Sequence, residues 1–314
     1  MSGTDLLRGK VVVITGGGSG IGRAIGLFIG SHGGRVVVND LGTSPSGEGT
    51  DLGAAETVAR EIRDAGGEAV ASGDDVSTWP TAQRIIQTAM DHYGRVDAVV
   101  NSAGVMRHNA FEIMPPEDFD LVLRTHLNGT FYVSRAAAPY LKAQGSGAYL
   151  HMTSTTGLIG SMGVTNYGTA KAGIFGLSRL IAFDMKRYGV RSNAMAPSAR
   201  SRQWERINAF RQAEYAKAGA NTDFRQFRST QGTADQIAPV AAFLLTEAAS
   251  EITGQIIGVR GTEIYLYSQP RPVRSLQRSE GWTLENLSEQ FTPALRGSLT
   301  PLETYGEVFS WPTL

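Results

Sequence analysis

The apolar residues of this chain follow two alternating rhythms. Short runs rich in β-branched residues predict strands at Val11–Thr15, Arg35–Asn39, Glu68–Ser72, Ala98–Asn101, Ala148–Met152, Arg191–Ala194 and Gln255–Val259. Between them, Ile21–Ser31, Ala54–Ala65, Thr81–Tyr93, Glu117–Ala143, Tyr167–Tyr188 and Ala234–Thr246 repeat their apolar positions at the helical period. Regular strand–helix alternation predicts an α/β fold, a doubly wound parallel sheet of about seven strands with helices on both faces. The triplet Val36-Val37-Val38 is apolar on both strand faces, as a strand covered from both sides requires.

Two stretches break the rhythm. Leu41–Gly53 is dense in Gly, Ser, Thr and Pro and predicts a long loop after the second strand. Residues 263–314 carry Pro270, Pro272, Pro293, Pro301 and Pro312, with one helix near Leu284–Gln290. The chain is therefore expected to hold one domain, 1–262, and a C-terminal extension, 263–314, serving as a lid or an oligomer arm.

Composition narrows the function classes. With 314 residues and 41% hydrophobic content, the chain can bury one large core or two small ones. Lys plus Arg and Asp plus Glu both number 29, so no net field draws the protein to nucleic acid or an anionic membrane. The chain has no cysteine, which excludes disulfides, thiol nucleophiles and cysteine-ligated metals. The apolar run at Val11–Ile14 is too short for a signal core or a membrane span, so the expected location is cytoplasmic. His32, His92, His108, His126 and His151 show no metal-ligand spacing, and no catalytic metal is expected.

The first strand runs straight into Thr15-Gly16-Gly17-Gly18-Ser19-Gly20-Ile21-Gly22, and a helix follows. Glycines allow the tight turn and let backbone N–H groups approach a pyrophosphate, which the positive helix N-terminus also favours. Asp40 ends the second strand, 18 residues after Gly22. A carboxylate there accepts from both hydroxyls of an adenosine ribose and repels a 2′-phosphate, which points to NAD; the plainer role is a turn residue. Asp75-Val76 follows the third strand, and Asn101-Ser102-Ala103-Gly104 the fourth. Both fall at carboxyl ends of strands, where open parallel sheets bind ligands; Asp75 is placed to accept from an adenine amino group.

Tyr167 and Lys171 open a long helix four residues apart, on one face. A free tyrosine has a pKa of about 10, and a neighbouring ammonium favours its phenolate. Ser154 stands 13 residues earlier, just past the fifth strand, where its hydroxyl can hold a substrate oxygen. A Tyr and a Lys four apart often mean nothing; the serine spacing, the strand-end placement and the glycine loop agree here.

In the order and spacing of these motifs, residues 8–262 resemble the short-chain dehydrogenase/reductase family. The matched features are TGGGSGIG, Asp40, Asp75-Val76, the NSAG at 101–104, Ser154, Tyr167, Lys171 and Asn193–Pro197. The resemblance implies a Rossmann-type fold and hydride transfer between substrate and NAD. It makes Ser154 the substrate-orienting residue, Tyr167 the acid/base and Lys171 its support, and it implies a homodimer or homotetramer. Two departures stand out. The relay asparagine of most members is His126 here, with Asn128 out of register; His126 is either a relay member or a satisfied helix histidine. The usual Pro-Gly after the sixth strand reads Pro197-Ser198, and the Thr beyond it is Arg202. Both departures resemble the (3R)-hydroxyacyl-CoA dehydrogenase unit of peroxisomal multifunctional enzymes and bacterial 17β-hydroxysteroid dehydrogenases. That subgroup also resembles this chain in Val38-Asn39-Asp40-Leu41-Gly42, the long loop after it and the C-terminal extension.

Arg200, Arg202 and Arg206 cluster after the sixth strand, and suit either the phosphates of a coenzyme A ester or a solvated face. Arg271, Arg274 and Arg278 read as a solvated face. Trp204, Phe210, Tyr215, Phe224 and Phe227 either line an apolar pocket or anchor lid helices. The expected function is an NAD-dependent secondary-alcohol dehydrogenase acting on a 3-hydroxyacyl-CoA. A hydroxysteroid or alicyclic alcohol is the alternative substrate. The rival of another class is a non-catalytic NAD-binding sensor, which has no use for an acid/base pair.

Overall fold

The computed structural model describes residues 6–199, 232–303 and 305–309. Eight strands form one sheet: β1 (Val11–Thr15), β2 (Arg35–Asn39), β3 (Glu68–Ser72), β4 (Ala98–Asn101), β5 (Gly147–Met152), β6 (Val190–Ser198), β7 (Ile256–Arg260) and β8 (Glu263–Leu266). Their order is β3-β2-β1-β4-β5-β6-β7-β8. All neighbours run parallel except β7 and β8, which are antiparallel. The sheet reverses its winding between β1 and β4, and a crevice opens at such a switch point.

The helices are α1 (Gly20–Ser31), α2 (Gly53–Asp64), α3 (Trp79–Tyr93), α4 (Pro116–Leu123), α5 (Gly129–Gln144), α6 (Thr165–Met185), α7 (Ala234–Leu244) and α8 (Leu284–Leu295), with short helical turns at Thr155–Leu158 and Tyr305–Val308. Strand periodicity divides the core between the two faces. Val12 and Ile14 join Val36, Val38 and Leu150 in the cluster packed with α1, α2 and α7. Val11 and Val13 join Val37, Val99 and Tyr149 in the cluster packed with α3 and α5. No helix among the described residues is long and apolar enough to cross a membrane.

The expected doubly wound sheet is present, and differs from the sequence reading in three places. The stretch Glu117–Ala143, read as one helix, is α4 and α5 joined by a π-helical turn over Arg124–Asn128. The wider turn re-aims the chain, so that α4 packs on α6 while α5 packs on α3. Strand β6 extends through Pro197 to Ser198. Its pairing with β5 ends at Met195, and beyond it β6 pairs only with β7, which leaves room for a proline lacking an N–H. The eighth strand lies in the stretch read as extension.

The Leu41–Gly53 loop reaches across to the exit of β4, where Met106 N donates to Pro45 O at 2.9 Å. Arg200, Arg202 and Arg206, with Trp204, Phe210, Tyr215, Phe224 and Phe227, lie outside the described residues.

Candidate active site

The glycine loop is built by close backbone approaches. Gly16 has φ +67°, and a Cβ there would sit 2.8 Å from the Ala103 backbone. A Cβ on Gly22 would lie 2.2 Å from Gly16 O, and one on Gly18 would lie 2.8 Å from Asp40 Oδ2. Thr15 Oγ1 accepts from both Ser102 N and Ala103 N at 3.2 Å, tying β1 to the NSAG turn. Ser19 is the N-cap of α1 but makes no side-chain cap bond, and the first turn holds no acidic residue. The helix end is thus shaped to receive an anion beside the loop.

Asp40 lies against this loop. Its Oδ2 accepts from Gly18 N at 2.9 Å and its Oδ1 from Gly42 N at 2.8 Å. Each carboxylate oxygen retains a second lone pair for a hydroxyl. These features together fit a dinucleotide: a cradle that any side chain would fill, a helix N-terminus facing it, and a carboxylate at its edge. Asp75 caps its own turn, accepting from Ser77 N at 2.8 Å and Ser77 Oγ at 2.7 Å. The Val76 side chain is buried against Gly129, where a Cβ would stand 2.8 Å away.

Asn101 lies at the predicted strand end, but its side chain faces the interior. Its Nδ2 donates to Ser134 Oγ at 3.0 Å and to His151 Nδ1 at 3.1 Å. From there a buried polar chain crosses under β5 and β6: His151 Nε2 to Ser192 Oγ at 3.1 Å, then Ser192 Oγ to Ser178 Oγ at 3.0 Å. Asn193 is likewise structural, donating to Ile252 O at 2.7 Å and accepting from Gln255 N at 3.0 Å.

Beyond β5 the chemistry gathers. Ser154 is extended, and its Oγ accepts from Thr156 N at 3.2 Å as the N-cap of the Thr155–Leu158 turn. That bond uses an oxygen lone pair and leaves the hydroxyl proton to be donated. Gly157 presses this turn onto α6, because a Cβ there would sit 2.6 Å from Ala172 N and 2.8 Å from Lys171 Cβ. Lys171 is buried, and its Nζ donates to Met152 O at 2.5 Å while lying 5.5 Å from the centre of the Tyr167 ring. Burial pulls its pKa down to about 7. Thr153 Oγ1 donates to Lys171 O at 2.6 Å, fixing the helix backbone at the lysine.

His126 stands edge-on to Tyr167, with ring centroids 5.4 Å apart. Its Nε2 lies 2.8 Å from Val105 O, and its Nδ1 is buried without a hydrogen-bond partner. Burial, and then the charge of Lys171, hold its pKa down at about 3, so the ring is neutral. Gly104 lies directly against it. Pro197 and Ser198 end β6, and Ser198 Oγ lies 3.3 Å from Tyr305 OH. The structure thus brings together the glycine loop with Asp40, and Ser154, Tyr167, Lys171 and His126 around one turn. Thr15, Thr153 and Gly157 support these groups without belonging to a side-chain pattern that sequence reasoning could weigh.

A short chain dehydrogenase family model matches residues 10–206. Peroxisomal multifunctional enzyme type 2 of Mus musculus is 41% identical over 199 residues, 63% of this chain and 27% of that protein. The chain spans about a quarter of the length of such multifunctional relatives. Hydroxyacyl-CoA dehydrogenase ChsB1 of Mycobacterium tuberculosis is 33% identical over 279 residues, 86% of this chain and 83% of that one. Among solved structures, a short chain dehydrogenase from Mycobacterium avium superposes with a TM-score of 0.81 at 33% identity, over 96% of this chain and 99% of that one. A 7α-hydroxysteroid dehydrogenase complexed with NADH and 7-oxo glycochenodeoxycholic acid gives 0.70 at 30% identity, over 83% and 97%. With its sheet order, its glycine loop and the Ser154, Tyr167 and Lys171 set, this chain belongs to the short-chain dehydrogenase family of oxidoreductases acting on CH–OH groups.

Proposed function

We propose that the protein is an NAD-dependent dehydrogenase that interconverts a secondary alcohol and a ketone, with a 3-hydroxyacyl-CoA as its substrate. The observation that carries the chemistry is Lys171, a buried lysine held 5.5 Å from the Tyr167 ring. Burying a lysine is costly unless its charge is used. A non-catalytic NAD sensor has no need of it.

The bound nicotinamide would accept or supply the hydride. Tyr167 moves the hydroxyl proton: its phenolate takes it during oxidation, and its hydroxyl returns it during reduction. Lys171 favours the phenolate by its charge and, with one N–H committed to Met152 O, keeps two donors for a ribose. Ser154 directs its proton at the substrate oxygen and stabilises the charge that develops there. Neutral His126 would extend the proton path as a hydrogen-bonding group, not as a charge carrier, through the open Nδ1. Gly16, Gly18, Ser19, Gly20, Ile21 and Gly22 would hold the pyrophosphate, and Asp40 the adenosine ribose. Asp75 and Val76 would border the adenine, while Ala103, Gly104, Pro197 and Ser198, with Asn101 through its backbone only, would frame the nicotinamide half.

The hydroxyacyl-CoA assignment is supported by two relatives, hydroxyacyl-CoA dehydrogenase ChsB1 and the peroxisomal multifunctional enzyme. The likeness to a 7α-hydroxysteroid dehydrogenase supports the second reading, a steroid or alicyclic alcohol. A turnover panel of 3-hydroxyacyl-CoA esters, hydroxysteroids and cyclic alcohols with NAD separates them. Acyl-CoA turnover with a KM that rises with salt supports the first reading, because exposed phosphate–arginine contacts are screened. Turnover of steroids alone overturns it, and no turnover with any alcohol favours the sensor.

A further inference from the structure

The chain after β7 stays at the candidate site. It turns back as β8, where Tyr265 and Tyr267 meet edge to face with centroids 5.3 Å apart. Residues 305–309 return to the same place. Phe309 is buried against both rings, at 5.2 Å and 6.5 Å, and Tyr305 packs on Phe309 at 4.7 Å. Under this cluster lies Arg260, 1% exposed, paired with Glu263 at 2.8 Å and 5.4 Å from the Phe309 ring centre. Two hydroxyls of the cluster reach the candidate site. Tyr267 OH and Thr155 Oγ1 are 2.9 Å apart, and Tyr305 OH stands 3.3 Å from Ser198 Oγ.

We propose that Tyr267 is a positioning residue for the reaction: through Thr155 it fixes the turn that aims the Ser154 hydroxyl. This rests on the reading of Ser154 as the substrate-orienting group. The Thr155–Leu158 turn is four residues long, and a single helical turn does not hold itself in water. Three contacts help to secure it. The Ser154 cap on Thr156 N and the seat of Gly157 on α6 are both local to the β5–α6 unit. The third, from Tyr267, arrives from 112 residues away and binds the residue next to Ser154. Burial pushes the Tyr267 pKa up, so its hydroxyl keeps its proton at neutral pH. Thr155 is itself buried, so water is poorly placed to replace the bond. Losing it leaves the sheet and the cofactor loop intact while loosening the serine.

Tyr267→Phe keeps the ring in its cluster and removes the hydroxyl. We expect kcat to fall about tenfold, with the Kd for NAD changed less than about twofold. Amide exchange across residues 154–158 should quicken about tenfold, with the rest of the chain unchanged. Thr155→Val should give the same losses and Thr155→Ser should restore them. The Tyr267→Phe/Thr155→Val pair should be no worse than either single change. Wild-type kcat and unchanged exchange in Tyr267→Phe overturn the proposal, as do losses that multiply in the pair. If Tyr267→Phe does not fold, the contrast between Thr155→Val and Thr155→Ser decides, and equal behaviour of those two refutes it. Tyr167→Phe is measured alongside: if it retains full turnover, the reading of the site itself fails. If Tyr167→Phe is inactive while Tyr267→Phe is normal, only this inference fails. The exchange measurement stands whatever alcohol is used.

Discussion

A Cβ placed on Gly104 would lie 2.1 Å from Cε1 of His126, so the NSAG turn and the histidine that replaces the usual asparagine are shaped to one another. The imidazole meets the Val105 backbone through Nε2 and stands edge-on to Tyr167, with its Nδ1 buried. Gly104→Ala should therefore destabilise the protein by about 1–3 kcal/mol, the cost of overpacking a filled interior. Adding His126→Ala should relieve part of that loss, because the obstructing ring is gone. Urea midpoints of the two single variants and the pair test this, and strictly additive losses would show that the ring is not the obstacle.

The acid/base assignment makes a separate demand. Tyr167→Phe keeps the ring against His126 and removes the exchangeable proton. Its kcat should drop by roughly 10²–10⁴-fold, while NAD binding followed by fluorescence stays near wild type. Lys171→Met should damage both turnover and NAD affinity. A phenylalanine variant with near-normal turnover would remove Tyr167 from the mechanism.

Cofactor choice follows from Asp40 at the edge of the glycine loop. A 2′-phosphate would replace hydrogen bonds with repulsion, so kcat/KM should favour NAD over NADP by about 100-fold, roughly 2.7 kcal/mol. Asp40→Ala should shrink that ratio chiefly by weakening NAD. Equal kcat/KM for the two cofactors in the wild type would contradict the assignment.

Stability should fall on mild acidification, for a reason inside the sheet. Burial holds His126 and His151 at about 3, well under the value of an exposed histidine. As pH drops below about 6.5, the unfolded chain takes up two protons that the folded chain refuses. The folded pKa values are depressed, so this stability is present above the unfolded pKa and is lost as pH falls from about 6.5 toward 3. Between pH 7 and pH 5.5 these two groups together cost about 2.5 kcal/mol, and the slope approaches about 2.7 kcal/mol per pH unit, twice the single-site value, only well below pH 6.5. Urea midpoints between pH 7 and pH 5.5 measure it, and His151→Asn should halve the slope. A slope that His151→Asn leaves unchanged would place the acid sensitivity elsewhere.

Much of the fold was legible because each layer of it leaves a periodic trace. The first four strands match their predicted bounds, since β1 and β2 are apolar on both faces and each is bounded by a polar or glycine turn. The π turn at Arg124–Asn128 was not legible, because one inserted residue disturbs the helical period too little to show in sequence. Strand β8 was hidden in another way: its Ile264 and Leu266 face outward and its Tyr265 inward, inverting the usual pattern. At the site, Ser154, Tyr167, Lys171 and Asp40 were readable from spacing: Asp40 and Ser154 follow β2 and β5, and Tyr167 and Lys171 lie in the first turns of α6. Asn101 was readable as a position only; its side chain belongs to the buried chain through His151. Thr155 and Tyr267 could not be paired from sequence, because nothing local in either residue records a partner 112 positions away.

The bond between Thr155 and Tyr267, like that between Ser198 and Tyr305, also bears on the order in which the molecule matures. Residues 11–198 contain six of the eight strands together with every group assigned to proton transfer, and synthesis delivers them first. Contacts spanning 112 and 107 residues are closed late, because the intervening chain must first be ordered. A nascent chain can therefore hold a formed dinucleotide cradle while its serine turn is still untethered. If Tyr267 positions the serine turn as proposed, cofactor capture can precede competence, and the later-made residues 265–267 supply the contact that turns a binding fold into a working one.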